Sequence, residues 1–154
     1  MHPYVLYGVE IYANTCRSYV DKLMKLNNKI LRILQHKDRY YRNVHLYINY
    51  NTLPITELHE FYIICLIHKF MHHKHLLPRI YHNYFTENYK IHCYNTRNKN
   101  DLYLSAVSHS FGSRAIYFEG CTLWNQLPMY LKSITSITTF KRKLKEFLHS
   151  CLTC

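Results

Sequence analysis

The chain of 154 residues holds only three glycines, and nine acidic residues stand against twenty Lys and Arg. Each shortage excludes a class of chemistry. Gly8, Gly112 and Gly120 stand apart, so no glycine-rich loop can cradle a phosphate with successive backbone N–H groups. The three Asp, at positions 21, 38 and 101, are equally dispersed. Two-metal nucleotidyl transfer needs carboxylates gathered at one site, and no Asp-Asp pair offers them. Glu57 and Glu60 are neighbours on one helical face, where the positive end of a helix dipole accounts for both. No apolar run approaches the roughly 20 residues of a membrane span, and nothing reads as a secretory leader or lipidation signal. The six Cys, at 16, 65, 93, 121, 151 and 154, lack the spacing of a secreted disulfide framework. An intracellular location, nuclear or cytoplasmic, is the expectation.

What is abundant is positive charge. The formal net charge is +11 before any of the twelve His is protonated. Such an excess favours a polyanion, and without a lipid-seeking signal the expected partner is nucleic acid rather than a membrane surface. The sixteen Tyr accompany many Asn, Ile and Lys, a bias that AT-rich coding alone would produce. They read as core and rim rather than as base-stacking platforms, and none is assigned to a site.

At this length the chain can bury about 70% of its unfolded surface, enough for a core without staples. The expected fold is mainly α, a small helical bundle around a central apolar helix at about 56–72. Leu58 to Met71, LHEFYIICLIHKFM, is apolar nearly all round and so needs cover on both flanks. A first helix follows Ser18 and Asp21, which resemble a capping box, and runs to about Gln35. Val20, Leu23, Met24, Ile30, Leu31 and Leu34 recur at helical spacing along it. A short helix from Asn43 to Tyr50 leads to Pro54. Beyond Pro78 periodicity fades. Leu102 to Val107 and Ala115 to Glu119 read as extended, so a small β-hairpin-like unit is expected near 102–119. Trp124 should anchor this half on the central helix, and a basic amphipathic helix runs from about Ser136 to Ser150.

Lys22, Lys25, Lys29 and Arg32 fall at spacings of three, four and three, a row with neighbours ~5 Å apart that can lie along a phosphate backbone. An ordinary solvated helix face has the same pattern. Lys37, Arg39 and Arg42 lengthen the patch into a loop. Lys141, Arg142, Lys143 and Lys145 on the terminal helix form a second basic cluster. For metal, His68 and His72 have the i, i+4 spacing that lets two imidazoles share a zinc, with His73 and His75 close by. Cys151 and Cys154, with His149, would make half a site. Solvated helix-end His and a frayed terminus are the plainer reading of both clusters. A Cys-His nucleophile lacks support, since Cys65 sits mid-helix in the core and His92–Cys93 has no orienting partner.

The run His92-x-Tyr94-x-Thr96-Arg97, then Gly112-x-Arg114, then Trp124-Asn125-x-Leu127-Pro128, then Phe140-Lys141, resembles the region after the polymerase core in reverse transcriptases of LINE-type, Jockey-like non-LTR retrotransposons. Tyr7-Gly8-Val9-Glu10, the Leu23 to Leu34 helix and Leu53-Pro54-Ile55 are similar to the stretch that leaves the palm and builds thumb-like helices there. The resemblance implies three parts: residues 1–14 as the tail of a polymerase palm, 15–85 as a thumb-like segment, and 86–154 as a C-terminal segment. It implies a fragment of an RNA-directed DNA polymerase that holds template and primer. The Tyr-x-Asp-Asp motif that binds the catalytic divalent metal, magnesium in such enzymes, is missing from this chain. No catalysis and no cofactor are therefore expected of the fragment itself, and an upstream polymerase domain becomes a partner. The other expectations are a metal-stabilised His/Cys module, or a mobile-element remnant whose charge serves nothing.

Overall fold

In a computed structural model of the chain the described residues are 13, 17–91, 99, 101–109, 112 and 114–153. They are mainly helical: α1 Arg17–Leu34, α2 Asn43–Asn49, α3 Ile55–His72, α4 Asn88–Ile91, α5 Ile116–Gln126, α6 Met129–Lys132 and α7 Ile137–Thr153. Short 3-10 turns at Lys74–Leu76 and Arg79–Tyr81 follow α3. By compactness the chain divides into one unit of Met1–Phe61 with Arg142–Cys154 and another of Tyr62–Lys141. The division falls inside α3 and α7. The β-leaning runs expected before Thr15 lie outside the described residues. Among the described residues no helix is long and apolar enough to cross a membrane.

In the first unit α1 begins at Arg17, one residue before the expected cap, so Ser18 lies inside its first turn. Val20, Asn28 and Leu31 form its buried face. Leu31 packs with Leu46 and Tyr47 of α2, and Tyr41 covers the cluster. Burying a tyrosine hydroxyl is costly unless it finds partners. Tyr47 donates to Asn28 Oδ1 and accepts from Asn27 Nδ2 at 3.2 Å, while burial pushes its pKa up. Gln35 Nε2 adds a bond to Leu46 O at 2.8 Å.

The scarcity of glycine shows at both helix ends. A helix usually stops with a left-handed residue, most often Gly, that lets two N–H groups return to the last turn's carbonyls. Here His36 (φ 51) closes α1 and Asn51 (φ 47) closes α2. His36 N bonds Ile33 O and Lys37 N bonds Arg32 O, and the same pair recurs as Asn51 N to Ile48 O and Thr52 N to Tyr47 O. Thr52 to Ile55 are then buried, and Leu58 N reaches back to Pro54 O at 2.8 Å to open α3.

In the second unit Ile63, Ile64, Cys65, Ile67, His68 and Phe70 of α3 are buried, as are Phe85, Cys121, Trp124, Leu131 and Phe140. Gly120 explains how closely α5 approaches α3. A Cβ there would lie 2.6 Å from Ile67 Cδ1 and 3.3 Å from Ile63 Cγ2.

The expected hairpin does not form. Ala115 to Glu119 opens α5 instead of a strand, and Leu102 to Val107 carries no ladder among the described residues, only the isolated bridge Glu87↔Leu102. Alternation over five residues is too short a signal to outweigh Ile116, Gly120, Cys121 and Trp124, which recur at helical spacing. Gly120 reads in the sequence as a strand stop, yet packing uses it as a notch.

Candidate nucleic-acid interface

A helix turns about 100° per residue, so residues three and four apart share a face. In α1 that geometry sets Lys22, Lys25 and Lys29 on the side opposite Val20 and Leu31, and all three are exposed. Among the described residues no acidic side chain pairs with them. The ammonium of Lys22 sits 5.7 Å from the centroid of the Tyr19 ring, an ordinary surface cation–π distance.

Arg32, the fourth member of the expected row, is used differently. It is half-buried, and its Nη2 donates to Asn43 Oδ1 at the start of α2, while its Nε is buried without a partner. It ties α1 to α2. The signal for this is absent from local spacing because its partner lies eleven residues ahead.

The loop that follows extends the free charge. Lys37, Arg39 and Arg42 are exposed; Lys37 lies over the Tyr41 ring at 5.1 Å and Arg39 over Tyr40 at 5.0 Å. Tyr40 itself is 79% exposed, which no core role explains. The sequence placed these cations next to the row without assigning them a role. Their position in a loop, where no periodicity can test them, is the reason.

On α7 the four cations do not line up. Lys141, Arg142 and Lys143 are consecutive, so each step carries the charge about 100° round the helix. Lys143 Nζ is held by Glu146 Oε2 at 2.8 Å, and that bond keeps the Glu146 carboxyl below its ordinary pKa. Lys145 Nζ donates to Asn51 O at 2.5 Å, satisfying a carbonyl at the end of α2. Lys141 and Arg142 are exposed.

Of the clustered histidines, His68, His72 and His73 turn toward the chain, while His75 is exposed. His68 is 1% exposed, its ring stacked on Phe140 with centroids 3.9 Å apart and Trp124 beside it at 6.5 Å. Its Nε2 bonds Ile134 O at 2.7 Å; His72 Nε2 bonds Lys132 O at 3.1 Å and His73 Nε2 bonds Thr135 O at 2.7 Å. A carbonyl only accepts, so all three rings donate through Nε2–H. Three donors in one cluster thus hold the segment between α6 and α7. Burial drives the His68 pKa down to about 4. The i, i+4 spacing that suggests a shared zinc here serves backbone carbonyls, and no group of three His, Cys, Asp or Glu among the described residues is placed to hold a metal. Cys151 is exposed, and Cys154 lies outside the described residues.

His149, the possible third ligand, is part-buried with neither ring nitrogen partnered, and burial lowers its pKa. With Ile48, Asn51 and Ser150 it lines an open cavity of about 310 Å³. Burial keeps the thiols of Cys65 and Cys121 protonated, pushing both up to about 12.

Of the motif residues, Tyr7, Gly8, Val9, Glu10, His92, Tyr94, Thr96 and Arg97 lie outside the described residues. The others have structural tasks or positions that can be stated. Trp124 is buried beside Phe140 at 6.2 Å between ring centroids, and Leu127 is buried at the end of α5. Asn125 pairs with the Leu102 backbone as a strand would, accepting from its N–H at 2.9 Å and donating to its carbonyl at 2.8 Å. Pro128 starts α6, its carbonyl accepting from Leu131 N at 3.0 Å. Gly112 leaves room for Val107, which a Cβ would strike, and Arg114 is exposed. Lys132 Nζ bridges Asp101 Oδ1 at 2.9 Å and Asn125 O at 3.0 Å. No protein-family model, curated protein or solved structure matches this chain.

Proposed function

We propose that the chain is a non-catalytic, helical fragment of a LINE-type reverse transcriptase that grips the phosphate backbone of template and primer without reading sequence. The observation that carries the grip is the exposed face of α1, where Lys22, Lys25 and Lys29 stand free of acidic partners among the described residues. Lys37, Arg39 and Arg42 continue it into the next loop. Backbone contacts of this kind position a duplex and do not specify it. The polymerase origin rests on the order of the short motifs from Tyr7 to Lys141. In this reading α3 is the rod of a small helical bundle, and the chemistry belongs to an upstream palm with its own magnesium.

The test is salt. Affinity for a DNA–RNA hybrid should fall with a slope of roughly 0.9 log units per log unit of salt for each phosphate contact, on the scale known for B-form DNA. Three contacts from α1 give about 2.7. A flat response would remove the proposal. An open frame encoding palm motifs upstream of Met1 would support the end of a working polymerase, and a stop or an unrelated exon there would favour the mobile-element remnant.

A further inference from the structure

The apolar residues of α1 exceed what its buried face uses. Val20 and Leu31 are covered, yet Tyr19 is 67% exposed, Leu26 55%, Ile33 64% and Leu34 50%. The exposure is patterned. Tyr19, Leu23, Leu26, Ile30 and Ile33 follow one another at spacings of four, three, four and three, the repeat of a coiled-coil seam. Leu23 and Ile30 are half-buried, so the seam sits beside the core contact and faces outward along its other member row. Lys22 and Lys29, each three residues beyond Tyr19 and Leu26, border its outer edge.

We infer that this seam docks an amphipathic helix of another protein, one whose apolar stripe is edged by Asp or Glu. The length available, fifteen residues from Tyr19 to Ile33 at 1.5 Å each, suits about two heptads of side-by-side packing. Charge decides among the occupants. A second copy would bring Lys22 and Lys29 against like charge or no charge, and a formal net charge of +11 opposes self-association. Acidic residues on the partner's edge would meet both lysines. Leu26, Ile33 and Leu34 offer nothing to a phosphate or a base edge. A lipid surface needs a broad apolar face, whereas α1 already spends half of its own on Leu31 and Val20. The inference does not rest on nucleic-acid binding and survives its failure, although the two ligands would share Lys22 and Lys29.

The probe is a fluorescein-labelled three-heptad peptide with Leu at the seam positions and Glu along both edges, whose like charges keep it monomeric. By anisotropy it should bind the full chain, and the same peptide with Lys along its edges should not. A Leu26→Ser, Ile33→Ser double variant should lose at least about tenfold in peptide affinity, at an unchanged melting temperature because both side chains are exposed. Its affinity for a DNA–RNA hybrid should be unaltered. Four results would each overturn the inference: no binding of the Glu-edged peptide, equal binding of the Lys-edged one, an equal loss of hybrid affinity in the double variant, or seam-dependent binding to phosphatidylserine vesicles in its place.

Discussion

The lysines of α1 and the histidines at the end of α3 are both clusters of basic residues at helical spacing, and the fold treats them in opposite ways. Lys22, Lys25 and Lys29 stay in water with their charge unspent, whereas His68, His72 and His73 each give an Nε2–H to a carbonyl between Lys132 and Thr135. Side-chain chemistry decides which is possible. An ammonium is too strongly hydrated to bury without a counterion, while a neutral imidazole can be stacked on Phe140 at the cost of one proton site. A count of basic residues therefore overstates what a partner can feel. Arg32, Lys143 and Lys145 belong to the spent class as well, each already bonded within the chain.

The largest break of the comparison is His68→Ala. It opens a cavity beside Trp124 and Phe140 and strands the Ile134 carbonyl, and should cost roughly 3 to 4 kcal/mol in denaturant titration. The salt slope of hybrid binding should not move. If the variant is as stable as the parent, the histidine cluster is not a clamp.

Acid should reproduce much of that loss. His68 is held neutral with a pKa of about 4, below its ordinary 6.5. Below pH 6.5 the unfolded chain takes up a proton that the folded chain refuses, so stability is full above 6.5 and declines as pH falls toward 4. The loss is of the order of 3 kcal/mol, and it is absent in the His68→Ala background. Urea midpoints at pH 7, 5.5 and 4 would show it; a flat profile would contradict it.

Neutralising Lys22, Lys25 and Lys29 together to Gln should lower hybrid affinity on the order of a hundredfold at low salt and cut the salt slope by about 2.7. Here the melting temperature should stay put, the converse of His68. The matching change on α7, Arg142→Gln with Lys143→Gln, should alter affinity less than threefold at the same salt. An equal effect would mean that total charge, and not its alignment, governs the grip. Arg32→Lys is the smallest and sharpest case. It should remove about 1 kcal/mol of stability with the salt slope intact, because the guanidinium spans α1 and Asn43 rather than facing solvent.

Much of this fold is legible in the residues because long periodic helices announce themselves. α1, α2, α3 and α7 lie within two or three residues of where apolar spacing puts them, and the free face of α1 follows from the same spacing. Legibility ends where a side chain's partner is remote in sequence. Nothing near His68 signals Ile134, sixty-six residues on, and nothing near Lys145 signals Asn51. The misread hairpin has a different cause. Five alternating residues satisfy a strand and the first turn of a helix alike, and the tie is broken by Ile63 and Ile67, whose contact with Gly120 no local window contains.

The left-handed residue that closes α1 has a bearing on how this chain could be made more robust. His36 keeps a Cβ in a conformation that disfavours it by roughly 1 kcal/mol, so exchanging it for glycine relieves strain in the native chain even as it loosens the denatured one. Asn51, whose short amide tolerates the same twist, stands to benefit less. A protein poor in glycine has, in effect, left at least one inexpensive gain in thermal endurance unclaimed in the loop between α1 and α2.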